Sequence, residues 1–245
     1  MLIDTHAHLD MKDFEQDLEE VLDRALEGGI THIIAVGTDM SSSLMALELA
    51  NRYDFIFSSI GYHPHNVEDI DLQEIKELSR LVSGSNVVAW GEIGLDFYRR
   101  YSPQEKQVEV FDLQLDMAFE LDLPVIIHDR EAHSEVLEIL RQKGDKKQKG
   151  VIHCFLEDYD LAMAFIDLGY HISIPGVVTY KNAHKVQDVA SRIPIENMLI
   201  ETDAPFLAPV PKRGKRNEPF FMIHTALKVA QLRGVEVEVV ARETS

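Results

Sequence analysis

Short β-rich apolar runs recur eight times along this chain, each followed by a longer segment of helical periodicity, and that alternation is what most limits the folds open to it. The runs are approximately Leu2–His6, Thr31–Gly37, Phe55–Gly61, Val87–Gly94, Pro124–Asp129, Val151–Phe155, Tyr170–Ile174 and Met198–Asp203. Their starts are about 28 residues apart on average, room for a strand, a helix of three to four turns and two loops. Ile33–Val36 and Val125–Ile127 are apolar on both faces, as parallel strands covered by helices should be. Asp13–Glu27 carries Phe14, Leu18, Val21, Leu22 and Leu26 at helical spacing and stops at Gly28-Gly29. Ser102 is placed to cap a second helix, with Pro103 at its first position and Val108, Phe111, Leu115 and Phe119 along one face. The expectation is a single-domain (β/α)8 TIM barrel over residues 1–245. A doubly wound open sheet is the alternative, and no glycine-rich dinucleotide fingerprint follows the first strand.

Composition narrows the function classes. No stretch approaches the roughly 20 apolar residues of a membrane span, and Met1–His6 lacks the basic and apolar regions of a signal peptide, so a soluble cytoplasmic protein is expected. Cys154 is the only cysteine, which rules out a disulfide framework and a thiolate cluster; any metal must take nitrogen and oxygen ligands. Lys and Arg number 24 against 42 Asp and Glu, a net charge of −18, so a surface that coats polyphosphate or anionic membrane is disfavoured while a locally basic site is still allowed. The run Lys143–Lys149 precedes a strand and reads as a solvated loop at the inert end of the barrel.

Barrel enzymes place their chemistry at the C-terminal ends of the strands. There this chain carries His6 and His8, two residues apart and so on one side of an extended segment, then Glu92, His128, His153 and Asp203. Each alone has a structural explanation: a satisfied core histidine, a buried ion pair, a helix cap. Together, four histidines and two carboxylates ending five strands suit borderline divalent cations, and six ligands exceed one tetrahedral catalytic site. Two metals bridged by Glu92 is the economical assignment.

The motifs His6-x-His8, Gly61-Tyr62-His63-Pro64, Gly91-Glu92-Ile93-Gly94-Leu95-Asp96, His128-Asp129-Arg130, His153-Cys154-Phe155, Glu201-Thr202-Asp203-Ala204-Pro205 and Arg213–Pro219 together resemble the TatD family of metal-dependent hydrolases and deoxyribonucleases, within the amidohydrolase superfamily. The resemblance spans nearly the whole chain. It implies a (β/α)8 barrel, two divalent cations (zinc, manganese or magnesium), and hydrolysis of phosphodiester bonds in DNA. By that correspondence His6, His8, Glu92 and Asp203 hold one cation, and Glu92, His128 and His153 the other. Family members continue a short way past a helix like Val237–Thr244, whereas this chain stops at Ser245.

On this reading Asp203 takes the proton of the attacking water, and Glu201 orients a ligand or water. Arg130 is placed to fork onto a phosphate, with a surface ion pair to Asp129 or Glu131 as its alternative. His63 and His65 are candidates to contact substrate or protonate the leaving oxygen, His63 being the one in the family motif. Lys212, Arg213, Lys215 and Arg216 form a basic loop after the last strand, suited to backbone phosphates. Tyr62, Phe97, Tyr98 and Tyr101 are candidates for base stacking, and Cys154 reads as a small core residue rather than a nucleophile. The expected substrate is a single strand or strand end of DNA. An enzyme acting on a small amide, lactone or phosphate ester is the competing expectation, and a barrel that binds metal without turnover is a third.

Overall fold

The computed structural model describes residues 1–82, 86–144 and 149–245. Eight strands form one sheet in the order β1 to β8: β1 (Leu2–Ala7), β2 (Ile30–Val36), β3 (Ile56–Ile60), β4 (Val87–Asp96), β5 (Val125–Arg130), β6 (Gly150–Ile152), β7 (Tyr170–Ile174) and β8 (Met198–Ile200). The intervening helices are α1 (Leu18–Glu27), α2 (Met40–Arg52), α3 (Leu72–Leu78), α4 (Gln104–Glu120), α5 (His133–Gln142), α6 (Tyr159–Asp167) and α7 (His184–Arg192), with α8 (Met222–Arg233) and α9 (Val237–Glu243) after the last strand. A parallel bridge from Ala7 to Ala204 joins the end of β1 to the segment leaving β8, the step that closes such an order on itself. This is the (β/α)8 TIM-barrel fold the sequence calls for, and no helix among the described residues is long and apolar enough to cross a membrane.

The chain divides into two compact units, one of residues 1–34, 154–166 and 171–245, the other of 35–153 and 167–170. In the first, α1 begins later than the sequence predicts: a 3-10 turn occupies Lys12–Phe14 and the α-helix starts at Leu18. The carboxylate of Asp17, which would otherwise cap that helix, is engaged by Arg216 instead. Phe14, Val21, Leu22 and Ala25 are buried, whereas Leu26 is exposed.

In the second unit, α4 buries Val110, Phe111, Leu115 and Ala118 together with Gln107 and Gln114, while Val108 is half-buried and Phe119 exposed. The two glutamines belong inside because they satisfy peptide groups at strand ends. Gln114 accepts from the Tyr62 amide (2.8 Å) and the Trp90 indole (3.2 Å), and donates to the Tyr62 carbonyl (3.0 Å). Ser102 does not cap α4, which starts at Gln104. Its hydroxyl donates to the His65 carbonyl and accepts from the Val67 amide, tying the loop after β3 in place. Lys143 lies between the carboxylates of Asp112 (2.8 Å) and Asp116 (2.9 Å) rather than in open solvent, and residues 145–148 of the expected basic loop lie outside the described residues.

Strands β6 and β8 end earlier than their apolar runs imply, at Ile152 and Ile200. Past them Cys154 and Asp203 adopt left-handed backbone angles, φ 47° and 56°, which are incompatible with continuing a strand. His153 and Asp203 are therefore presented by the turns that follow these strands.

Candidate metal centre

In the first unit the donors come from β1 and from the turn after β8. His6 and His8 are buried, and their Nε2 atoms lie 3.2 Å apart. Asp203 Oδ1 lies 3.4 Å from His8 Nε2 and 3.9 Å from His6 Nε2. Tetrahedral donors around a zinc-sized ion, with bonds of roughly 2.0–2.2 Å, sit about 3.3–3.6 Å from one another. Two imidazole nitrogens and a carboxylate oxygen at this spacing fit such an ion in both chemistry and size.

The Asp203 turn is held by its backbone. Its amide donates to the His6 carbonyl (2.9 Å) and its carbonyl accepts from the Phe206 amide (2.7 Å). Asp tolerates the left-handed region better than most residues, since its short polar side chain can bond locally. Beneath it, the buried Asp4 accepts from the Thr202 amide (2.9 Å) and hydroxyl (2.5 Å), and burial pushes its carboxyl up to about 7 against the pull of those bonds. Glu201 is fully buried and accepts the Cys154 amide (2.8 Å), so it holds the β6 turn. Nothing in the sequence flagged Asp4 as the brace of this segment.

In the second unit three imidazoles converge on one oxygen. Glu92 Oε1 lies 2.8 Å from His128 Nδ1, 3.3 Å from His153 Nε2 and 3.4 Å from His63 Nε2. Burial would raise the Glu92 carboxyl, but the electrostatic influence of the neighbouring His153 and His63 imidazoles and the hydrogen bonds of His128 and His153 hold it well below the usual carboxylate range. Burial likewise opposes charge on His128, yet hydrogen bonds to Asp96 and Glu92 outweigh it and raise that imidazole to about 8. His63 goes the other way: burial pushes it down to about 4 despite the pull of Glu92. The His65 amide donates to His63 Nδ1 (3.1 Å), so the neutral ring carries its proton on Nε2, toward Glu92.

The approach of β4 to β5 depends on Gly94. At φ +141° it packs so tightly that a Cβ there would sit 2.0 Å from the His128 carbonyl oxygen. That contact sets the register pairing Gly94 with His128 and Asp96 with Arg130.

Asp96, which carried no role in the sequence reading, is fully buried and touches two of the predicted site histidines. Its Oδ2 lies 2.8 Å from His65 Nε2 and 3.2 Å from His128 Nε2. Burial alone would raise its carboxyl; the bonds from His128, His65 and the Arg99 amide hold it well below the ordinary range.

The cationic and aromatic candidates divide. Arg130 is exposed at the end of β5, its guanidinium stacked 4.1 Å from the Tyr98 ring centre. Tyr98 and Tyr101 are exposed, Tyr101 edge-on to His65. Tyr62 is buried, with its hydroxyl on Glu74, and so presents no stacking face. Arg216 is also spoken for: both guanidinium nitrogens grip Asp17 (2.7 Å each), which leaves no open fork for a phosphate. Lys212 and Arg213 lie over the rings of Phe221 and Tyr180 (5.0 and 4.5 Å), and Lys215 is exposed.

Comparison with known proteins agrees with this chemistry. The family described as TatD related DNase matches residues 3–245. The uncharacterized metal-dependent hydrolase YabD of Bacillus subtilis is 40% identical over 245 residues, covering 100% of this chain and 96% of its own. The 3'-5' ssDNA/RNA exonuclease TatD of Pantoea ananatis is 37% identical over 248 residues, 99% of this chain and 95% of that one. Among solved structures, the TatD homolog YJJV from Escherichia coli superposes with a TM-score of 0.92 at 32% identity, covering 99% of this chain and 94% of that chain. With its length matched almost end to end and its histidine and carboxylate donors gathered at and just past strand ends, this chain belongs to the TatD family of metal-dependent hydrolases.

Proposed function

We propose that this protein is a divalent-metal-dependent nuclease that hydrolyses phosphodiester bonds of DNA, acting on single strands or strand ends. The observation that carries the reading is the pair of donor groups, the buried His6–His8–Asp203 in one unit and the buried Glu92 and His153 with the half-buried His128 in the other. The proposal assigns one cation, zinc, manganese or magnesium, to each group. The names of relatives such as the Pantoea exonuclease support nucleic acid as the substrate class.

When bound, such cations polarise phosphoryl oxygens and lower the pKa of coordinated water from about 15.7 toward about 7. The chain's own residues supply the rest. Asp203, fixed by its backbone turn, accepts the proton of the attacking water. Glu201 holds the turn at Cys154 that follows β6. His63 donates from Nε2 and keeps Glu92 ionised. Arg130, exposed and stacked on Tyr98, forks onto a substrate phosphate, and Lys215 adds a backbone-phosphate contact. His65 lines the substrate side beside Tyr101.

The test is turnover of a single-stranded oligonucleotide, compared with small amides, lactones and phosphate esters, with zinc, manganese or magnesium added to chelator-stripped protein. Metal-dependent oligonucleotide cleavage is expected. Amide or lactone turnover with no nuclease activity would overturn the reading.

A further inference from the structure

Phe206 is left in water by a loop that buries almost everything around it. From Glu201 to Pro209 every residue is buried except the half-buried Leu207 and Phe206, which is 47% exposed. Burial favours large apolar rings on the inside, so a loop that turns its one aromatic outward forgoes that gain. The exposure is built in rather than frayed. The buried Asn217 donates from its side chain to the carbonyls of Thr202 (2.8 Å) and Phe206 (2.7 Å), and from its amide to that of Pro205 (3.0 Å). The Phe206 amide donates to the Asp203 carbonyl (2.7 Å), and the Tyr180 hydroxyl donates to the Ala208 carbonyl (2.9 Å). Asp203 and Leu207 take left-handed φ of 56° and 52° on either side, a strained path that these bonds hold in place.

The ring stands beside the first donor group, its centre 6.0 Å from that of the His8 imidazole at an interplanar angle of 67°. His8 is buried where Phe206 is exposed, so the aromatic surface at this donor group continues outward to solvent. A phosphodiester drawn to that group carries bases on the sugars at either side, and every base offers a π-face to a ring whatever the sequence. A ring whose backbone is fixed beforehand loses little freedom when it is covered. We infer that Phe206 is the platform on which a base flanking the scissile phosphate stacks, so that the site holds a nucleotide by its ring as well as its phosphate. The inference rests on the nuclease function proposed above and names what that site recognises besides phosphate.

Short deoxyoligonucleotides test this, intact or with one base at a time removed to leave an abasic sugar, with cleavage by the metal-loaded enzyme scored bond by bond. In the wild type, loss of one of the two bases beside the scissile bond is expected to lower kcat/KM by roughly 5–150-fold, mainly through KM, because stacking holds substrate and transition state alike. Phe206→Ala should cleave intact and abasic strands with nearly equal kcat/KM, and Phe206→Tyr should restore the preference. Neither variant should lose affinity for zinc or manganese in chelator competition. Wild-type rates indifferent to both flanking bases overturn the inference, as does a full base preference retained in Phe206→Ala. Weaker metal binding with the preference intact overturns it too, since Phe206 would then only support His8. If the alanine variant does not fold, Phe206→Leu, which keeps apolar bulk without a π-face, takes its place. A wild type that cleaves no intact strand with any of the three cations removes the nuclease reading itself, a result distinct from cleavage that ignores the base.

Discussion

Asp203 combines a left-handed backbone with a side chain inside a histidine pair, and both properties enter its predicted effect. Asp203→Asn keeps size and backbone preference while removing the basic carboxylate. Oligonucleotide cleavage is expected to fall by roughly 10²–10⁴, the usual reach of a general base. An unchanged rate in protein that holds metal would exclude this carboxylate from the chemistry. Arg130→Ala should lower kcat/KM by roughly 10–100-fold, in line with loss of a charge-assisted contact of about 1.5–3 kcal/mol, with metal content preserved. Metal loss in that variant would make Arg130 structural. The residues visible in sequence were those whose type and place speak for themselves: imidazoles and carboxylates directly after apolar runs. Asp96 and Asp4 were invisible in that role because their meaning lies in partners such as His65, 31 residues away, and Thr202, 198 away. Spacing along the chain does not report such pairs.

Among elements, β4 and β5 are the most demanding. Gly94→Ala forces a methyl against the His128 carbonyl at an unfavourable φ, and is expected to cost about 3 kcal/mol. For a chain of this length that corresponds to roughly 6–12 °C in Tm, readable by calorimetry. The link between α1 and the loop before α8 gives a pH signature. Hydrogen bonds and charge from Arg216 lower the Asp17 carboxyl below its usual value. Its stabilisation is thus present above the unfolded pKa of about 3.9 and lost as pH falls through the lower folded value. Asp17→Asn should destabilise by at most about 1 kcal/mol at pH 7, the pair being part-exposed, and the difference should shrink as pH falls below about 3.9 in denaturant titrations. Strands were legible because burial on both faces leaves an unbroken apolar run. Helix starts were less so: Asp17 and Ser102 have the chemistry of caps, but tertiary partners take their oxygens.

Over the whole molecule the charge of −18 sets the terms on which a polyanion can approach. Of the basic residues assigned to substrate, Arg216 is committed to Asp17, while Arg130 and Lys215 are exposed. Two phosphate contacts to a single strand predict a shallow salt dependence, log kcat/KM against log salt falling with a slope near about −1.4. A slope steeper than about −4 would mean that nucleic acid lies along an extended surface. Short single strands should accordingly be cut in preference to long blunt duplex, as a gel time course can establish.

The Asp17–Arg216 pair also has a consequence for engineering. Residues 212–216 invite exchange between relatives as a way to alter substrate range, yet the anchor of that loop is encoded 199 positions earlier in the chain. A transplanted loop whose new host lacks an acid before its first helix would arrive unmoored, its arginine exposed to solvent and its path undefined. Chimeras should therefore carry the two segments as one unit, and chimeras that move the loop alone should differ from their parents in thermal stability before they differ in specificity.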